Sequence, residues 1–235
     1  MVFQPLVIDR YAQDYRSRRL AAPVRPVIGV IQPQEISRAG LLKVIAELLG
    51  DADMHSFGTA QAWLDTPDFE VFSVVVMELN LRLPECSLST LELLRRKAPS
   101  TRILTLSPLT ERQIGLAALR LGASAFLPMT SELDELRAAL NALTRGDGYM
   151  STEMAAVLAD EAQGKNPRNG FARLSPREMD VIRHLIWGMQ LKAVAAKLGL
   201  NIRTASCYKR NALNKLGMDS IAEVVRYSSE HGLML

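Results

Sequence analysis

The 235-residue sequence predicts an α/β doubly wound domain followed by an all-α four-helix module. Three observations carry this. Short apolar runs alternate with helix-patterned segments five times between Val27 and Leu143, as parallel strands joined by crossover helices require. The last 62 residues hold no strand pattern but four helix starts and stops. Between them lies GKNPRNG, which is turn and linker chemistry.

Val27 to Ile31 reads as the first strand. Ile36 to Leu49 follows as a helix, with Ile36, Leu41, Leu42, Ile45, Leu48 and Leu49 at helical spacing. Met54 to Phe57 is a poor strand, followed by a helix around Gln61 to Leu64. Phe72 to Met77 is almost purely apolar, as a central strand covered on both faces should be. Leu88 to Arg96 gives a helix, Ile103 to Leu106 a strand, Glu111 to Leu121 a helix, Ala125 to Leu127 a short strand and Glu132 to Leu143 a helix. The ligand crevice of such a sheet lies at the carboxyl ends of its strands. One further helix is expected from Thr152 to Gln163. In the C-terminal module Ser175, Pro176 and Glu178 mark a helix start, and Val181, Ile182, Leu185 and Ile186 continue it to Gly188. Leu191 to Leu198 ends at Gly199, Arg203 to Leu216 ends at Gly217, and Ser220 to about Ser229 completes the set. The expected division is an extension over 1–25, an α/β domain over 26–145, a linker with helix over 146–173 and a helix-turn-helix module over 174–235.

Composition narrows the function. With 48% hydrophobic and 23% charged residues the chain has material for a core. It contains no run of ~18 uncharged apolar residues, and its start lacks the basic-then-apolar order of a secretory signal, so a cytoplasmic location and no membrane partner are expected. Cys86 and Cys207 are far apart and there are three histidines, which argues against a zinc site or a disulfide framework. Both thiols are expected reduced and structural, with no cofactor and no metal. His55, His184 and His231 have no paired nucleophile, and no nucleotide-binding glycine loop occurs, so the chain reads as a non-enzyme. Trp63 and Trp187 fall at helical apolar positions and are expected in the core. The net charge of +3 is unevenly spread. Ten Lys or Arg after residue 170 face five acids, and five arginines in residues 1–25 face Asp9 and Asp14, leaving an acidic middle. A control module joined to a module that meets a polyanion fits that distribution. The cluster from Arg16 to Arg19 reads either as a phosphate or partner contact or as a solvated terminus.

The third helix of the C-terminal module is the informative one. Arg203, Ser206, Lys209, Arg210 and Asn214 fall on roughly one side, while Ala205, Ala212, Leu213 and Leu216 serve the other. Such a face enters a major groove, with Lys and Arg bonding phosphates or guanine edges and Ser206, Tyr208 and Asn211 adjusting base contacts. The pattern alone equally describes a solvated helix surface.

The stretch LSPREMDVIRHLIWGMQLKAVAAKLGLNIRTASCYKRNALNKLG resembles the LuxR-type helix-turn-helix of NarL/FixJ-class response regulators. That family opens on L-[ST]-P-R-E and closes on K-L-G. RTASCYKRNALNKLG is particularly similar to the Rcs capsule-synthesis regulators, with Ser206, Lys209, Arg210 and Lys215 at the matching places. The more usual Val-Lys-Val-His wording is replaced by Ala205-Ser206-Cys207-Tyr208, so a target sequence does not carry over. The resemblance implies double-stranded DNA as partner, with Lys192, Arg203, Thr204, Ser206, Tyr208, Lys209, Arg210, Asn211 and Lys215 as contacts.

It also implies that the α/β domain is a flavodoxin-like receiver. Receiver chemistry needs an acidic pair for Mg²⁺ after the first strand, an Asp nucleophile after the third, a Ser or Thr after the fourth and a Lys after the fifth. The matching positions here are Gln32 and Pro33, Glu78, Ser107, and Met129, of which only Ser107 is of the expected type. Without the acids a metal is poorly held, and Met129 cannot pair with a phosphoryl oxygen, so phosphorylation is not expected. Glu78 either imitates a phosphorylated Asp or is a polar leftover in a retired pocket. The expected function is a transcription regulator with a degenerate receiver, controlled through homodimerisation, a partner or a ligand. The rival is an adaptor that heterodimerises with another regulator and binds DNA weakly alone.

Overall fold

The computed structural model describes residues 25–80, 83–163 and 170–230. Five parallel strands stand in the order β2-β1-β3-β4-β5. They are β1 (Val27–Ile31), β2 (Asp53–Phe57), β3 (Val74–Glu78), β4 (Arg102–Ser107) and β5 (Ala125–Pro128). The crossover helices are α1 (Glu35–Leu49), α2 (Ala60–Leu64), α3 (Leu88–Lys97), α4 (Leu116–Arg120) and α5 (Leu133–Thr144).

The two-residue period of a strand sorts its side chains between two cores. Val74 and Val76 of β3 join Ile28, Val30, Leu104 and Leu127 beneath α1 and α5. Val75 and Met77 face the other way, with Ile31, Ile103 and Phe126 beneath α2, α3 and α4. All five residues of β3 are buried, whereas β2 at the sheet edge is largely exposed, which accounts for its weak strand pattern. On α5, Leu136, Leu140 and Leu143 are buried. Each such side chain contributes about 1.5–3 kcal/mol, several times a residue's helix propensity, so packing decides where α5 lies.

The expected helix over Glu111 to Leu121 differs in detail. Glu111–Gly115 is a wide π-type turn, and only Leu116–Arg120 is α-helical. Thr110 N donates to Gln113 Oε1 at 2.9 Å at its start. A Cβ on Gly115 would overlap Met154 Cε and sit 3.1 Å from Phe126 Cδ1, so a bare Cα lets the next helix approach.

That helix is α6 (Thr152–Ala162). Ser151 caps it, accepting from Met154 N at 3.0 Å and donating to Glu111 Oε1 at 3.1 Å. Arg112 meets Glu153 at 2.8 Å and Asp160 at 3.0 Å, and Arg120 pairs with Glu161. Met154 and Val157 are buried beneath these ion pairs.

The C-terminal module consists of α7 (Pro176–Ile186), α8 (Leu191–Lys197), α9 (Ile202–Leu216) and α10 (Ile221–Glu230). Ser175 and Glu178 form a reciprocal capping box with Pro176 in the first turn of α7. Val181, Ile182, Val194, Ala205, Ala212 and Val224 are buried. Trp63 is fully buried as expected, but Trp187 is 58% exposed and corrects its assignment to the core. α7 stops at Ile186, so Trp187 caps the helix and leaves its apolar stripe. His55 is partly exposed beside Asp53, His184 is buried, and His231 and the Arg16 to Arg19 cluster lie outside the described residues. Among the described residues no helix is long and apolar enough to cross a membrane.

Candidate nucleic-acid interface

α9 starts at Asn201, whose side chain accepts from Arg203 N at 2.8 Å. It ends at Gly217, with φ 68°, a left-handed cap that glycine adopts without steric cost. Ala205, Ala212 and Leu213 are buried and turn one side of the helix inward. The other side is open: Arg203, Thr204, Ser206, Arg210, Asn211 and Asn214 are exposed, with Tyr208 and Lys209 half-buried at its edges. Lys192, in the first turn of α8, is exposed as well. α9 contains no carboxylate. Among the described residues Lys192, Arg203, Lys209 and Arg210 form no ion pair. Their charges are therefore not neutralised within the fold, as phosphate binding needs.

Lys215, by contrast, is engaged within the fold. Its Nζ donates to Glu178 Oε2 at 2.6 Å, tying the end of α9 to the start of α7. The same oxygen accepts from Ser175 N at 2.8 Å. Burial pushes the Glu178 carboxyl up, but the bonds from Lys215 and Ser175 outweigh it and hold the group below the usual carboxylate range.

The receiver-type positions meet at the carboxyl ends of β1, β3, β4 and β5. Gln32 is buried with its amide folded onto its own loop, Oε1 accepting from Gln34 N at 3.2 Å. Arg38 Nη1 donates to Gln32 O at 2.8 Å. Glu78 is 4% exposed; Oε1 accepts from Asn80 Nδ2 at 2.7 Å, and Oε2 has no hydrogen-bond partner among the described residues. Ser107 Oγ donates to Leu79 O at 2.6 Å and accepts from Leu109 N at 3.1 Å. Its bonds thus go to backbone and not to Glu78. Met129 is 49% exposed at the rim. Mg²⁺ does not fit this set, because Gln32 and Pro33 bring no negative charge beside Glu78.

Sequence reasoning missed the groups that join the two domains. Ser89 Oγ on α3 donates to Asp180 Oδ2 on α7 at 2.6 Å, and Arg183 Nη1 reaches Leu83 O at 3.4 Å. The available signal was a charged pair at positions 180 and 183 of a helix whose neighbours are apolar.

Residues 172–228 match the family described as bacterial regulatory proteins, luxR family. The transcriptional regulatory protein MctR of Rhizobium johnstonii is 28% identical over 195 residues, 82% of this chain and 88% of that protein. Response regulator UvrY of Escherichia coli is 22% identical over 87% of this chain and 94% of its own length. Among solved structures, RcsB from Salmonella enterica serovar Typhimurium bound to promoter rprA superposes with a TM-score of 0.68 at 22% identity, covering 88% of this chain and 99% of that one. Receiver-type sheet, connecting helix and helix-turn-helix thus follow one another as in that fold. The C-terminal module belongs to the luxR family, and the chain is a DNA-binding transcription regulator of the response-regulator type.

Proposed function

We propose that α9 reads duplex DNA in the major groove, with Arg203, Lys209, Arg210 and Lys192 on phosphates or guanine edges and Thr204, Ser206, Tyr208 and Asn211 adjusting the fit. The observation that carries this is the open, acid-free face of α9 with uncompensated cations. Lys215 is left out of the DNA-binding set because Glu178 engages it. The receiver-type domain works without aspartyl phosphorylation. Two features support that: a sealed Glu78 with no acidic neighbours on β1, and a Ser107 hydroxyl committed to the backbone. The same bonds favour reading Glu78 as a polar leftover over a phosphate mimic, since nothing couples its carboxylate to Ser107. Domain limits at 25, 145 and 173 belong to this reading, as does a homodimer that sets two α9 helices on paired half-sites.

The test is a gel shift on genomic fragments across a salt series. In Lys209→Ala/Arg210→Ala, affinity falls and the log-log salt slope becomes shallower by ~0.9 for each phosphate that these side chains neutralise in the parent. Unchanged affinity and slope would remove α9 from the interface. A parent chain that binds no fragment would favour a heterodimerising adaptor.

A further inference from the structure

Where α3 packs against α7, beside the end of α8, the two domains leave a cleft of about 390 Å³, within the range that takes a small molecule. Arg96 reaches it from α3, Arg177 and Arg183 from α7, and Lys197 from α8. The carboxylates among its lining residues are Glu92 and Asp180. Asp180 is already engaged, accepting from Ser89 Oγ at 2.6 Å and facing Arg183 Nη2 at 3.6 Å.

Arg183 is the group the fold leaves unexplained. It is 7% exposed, its hydrogen bond to Leu83 O is long at 3.4 Å, and its Nε has no partner among the described residues. A buried guanidinium with unmade bonds calls for an acceptor. Arg96, Arg177 and Lys197 form no ion pair among the described residues, so three cations, drawn from both domains, line the cleft with no carboxylate bonded to them. His184 reports the same field: burial first, then Arg183 and Lys197, push its imidazole below the ordinary value.

We propose that this interdomain cleft binds a small molecule carrying a phosphoryl group, whose oxygens bridge Arg177 and Arg183 of the helix-turn-helix module to Arg96 of the α/β domain. Guanidinium forks match phosphoryl oxygens in pairs. His184, which is buried, is the one aromatic ring among the lining residues; no Phe, Tyr or Trp lines the cleft among the described residues, and Leu93 and Leu198 are its apolar members. With no large aromatic face open to a nucleobase, the lining favours a compact polar ester such as a sugar phosphate. By neutralising cations on both walls it favours the packed arrangement of the domains to the extent that it binds that arrangement more tightly. This rests on the reading of a receiver controlled by something other than phosphorylation and names the chemical class of that signal.

The test is calorimetric titration of the full-length chain with inorganic phosphate and pyrophosphate at constant ionic strength, without DNA. The expected result is saturable binding that weakens about tenfold in Arg96→Ala and in Lys197→Ala. Both side chains are exposed and form no ion pair among the described residues, so these variants fold where Arg183→Ala need not. Arg210→Ala keeps the parent's affinity. Binding that does not saturate, or is unchanged in both cleft variants, overturns the proposal; so does a loss in Arg210→Ala alone, which puts the anion on the DNA-facing helix. Inorganic phosphate has no leaving group through which it could phosphorylate the chain. A covalent mass gain from acetyl phosphate would therefore overturn the phosphorylation-independent reading and leave the cleft result standing.

Discussion

The carboxylate of Glu178 closes the capping box of α7 and receives Lys215 from α9, so one buried group holds two helices of the DNA-binding module. Because its folded pKa is depressed, its contribution is fully present above the unfolded value of about 4.3 and is lost as pH falls through the folded value. Lys215→Met should cost about 1–3 kcal/mol near neutral pH. The difference from the parent should shrink at about pH 3.5. Denaturant melts at both pH values check this, and a pH-independent difference would refute it. The two thiols offer a second contrast. Cys207 is exposed on α9, whereas Cys86 is buried, and burial, then Glu78 and Glu85, push its thiol up to about 12. A maleimide should label Cys207 alone in the folded chain and abolish DNA binding, and bound DNA should protect it. Labelling at Cys86, or retained binding after labelling, would contradict the placement. The α9 face is legible in the sequence because its polar and apolar positions separate at helical spacing. The role of Lys215 is not, because its partner is 37 residues away in sequence and only the fold brings them together.

Among the elements, α6 has the most specific seat. It rests on the π-type turn, with Met154 filling the space that Gly115 leaves and three ion pairs around it. Gly115→Ala forces Met154 aside against a fixed Phe126 and should cost about 1–3 kcal/mol. Met154→Ala alone should cost about 2–5 kcal/mol. Because both changes act on one volume, the double variant should lose less than the sum. Strict additivity in thermal or denaturant melts would show that the two sites do not share it. The strands and most helices are readable since each has an apolar run or stripe of the right period. The π-type turn is not, because a wide turn and an α-helix present the same apolar residues, and what selects between them is the packing of α6, distant in sequence, against the turn.

At the scale of the molecule, an α/β domain with a buried Glu78 is joined to a DNA-binding module through Ser89, Asp180 and Arg183. If phosphorylation sets nothing, the assembly state must already be present in the purified chain. It should sediment as a dimer, and acetyl phosphate with Mg²⁺ should change neither its sedimentation nor its intact mass. A monomer that dimerises on phosphoryl transfer would reverse this. The sequence marks only one side of the joint, the charged pair Asp180 and Arg183 among apolar neighbours, since its partner Ser89 is 91 residues away and reads as surface by itself. The firm seating of α6 also has a bearing on grafting. A hybrid regulator that takes its DNA-binding module from another protein should be spliced after Ala162, because a junction before Thr152 would remove the carboxylates from Arg112 and Arg120 and leave the pocket beside Gly115 unfilled. The connecting helix therefore travels with the sheet as part of the α/β half of any such hybrid.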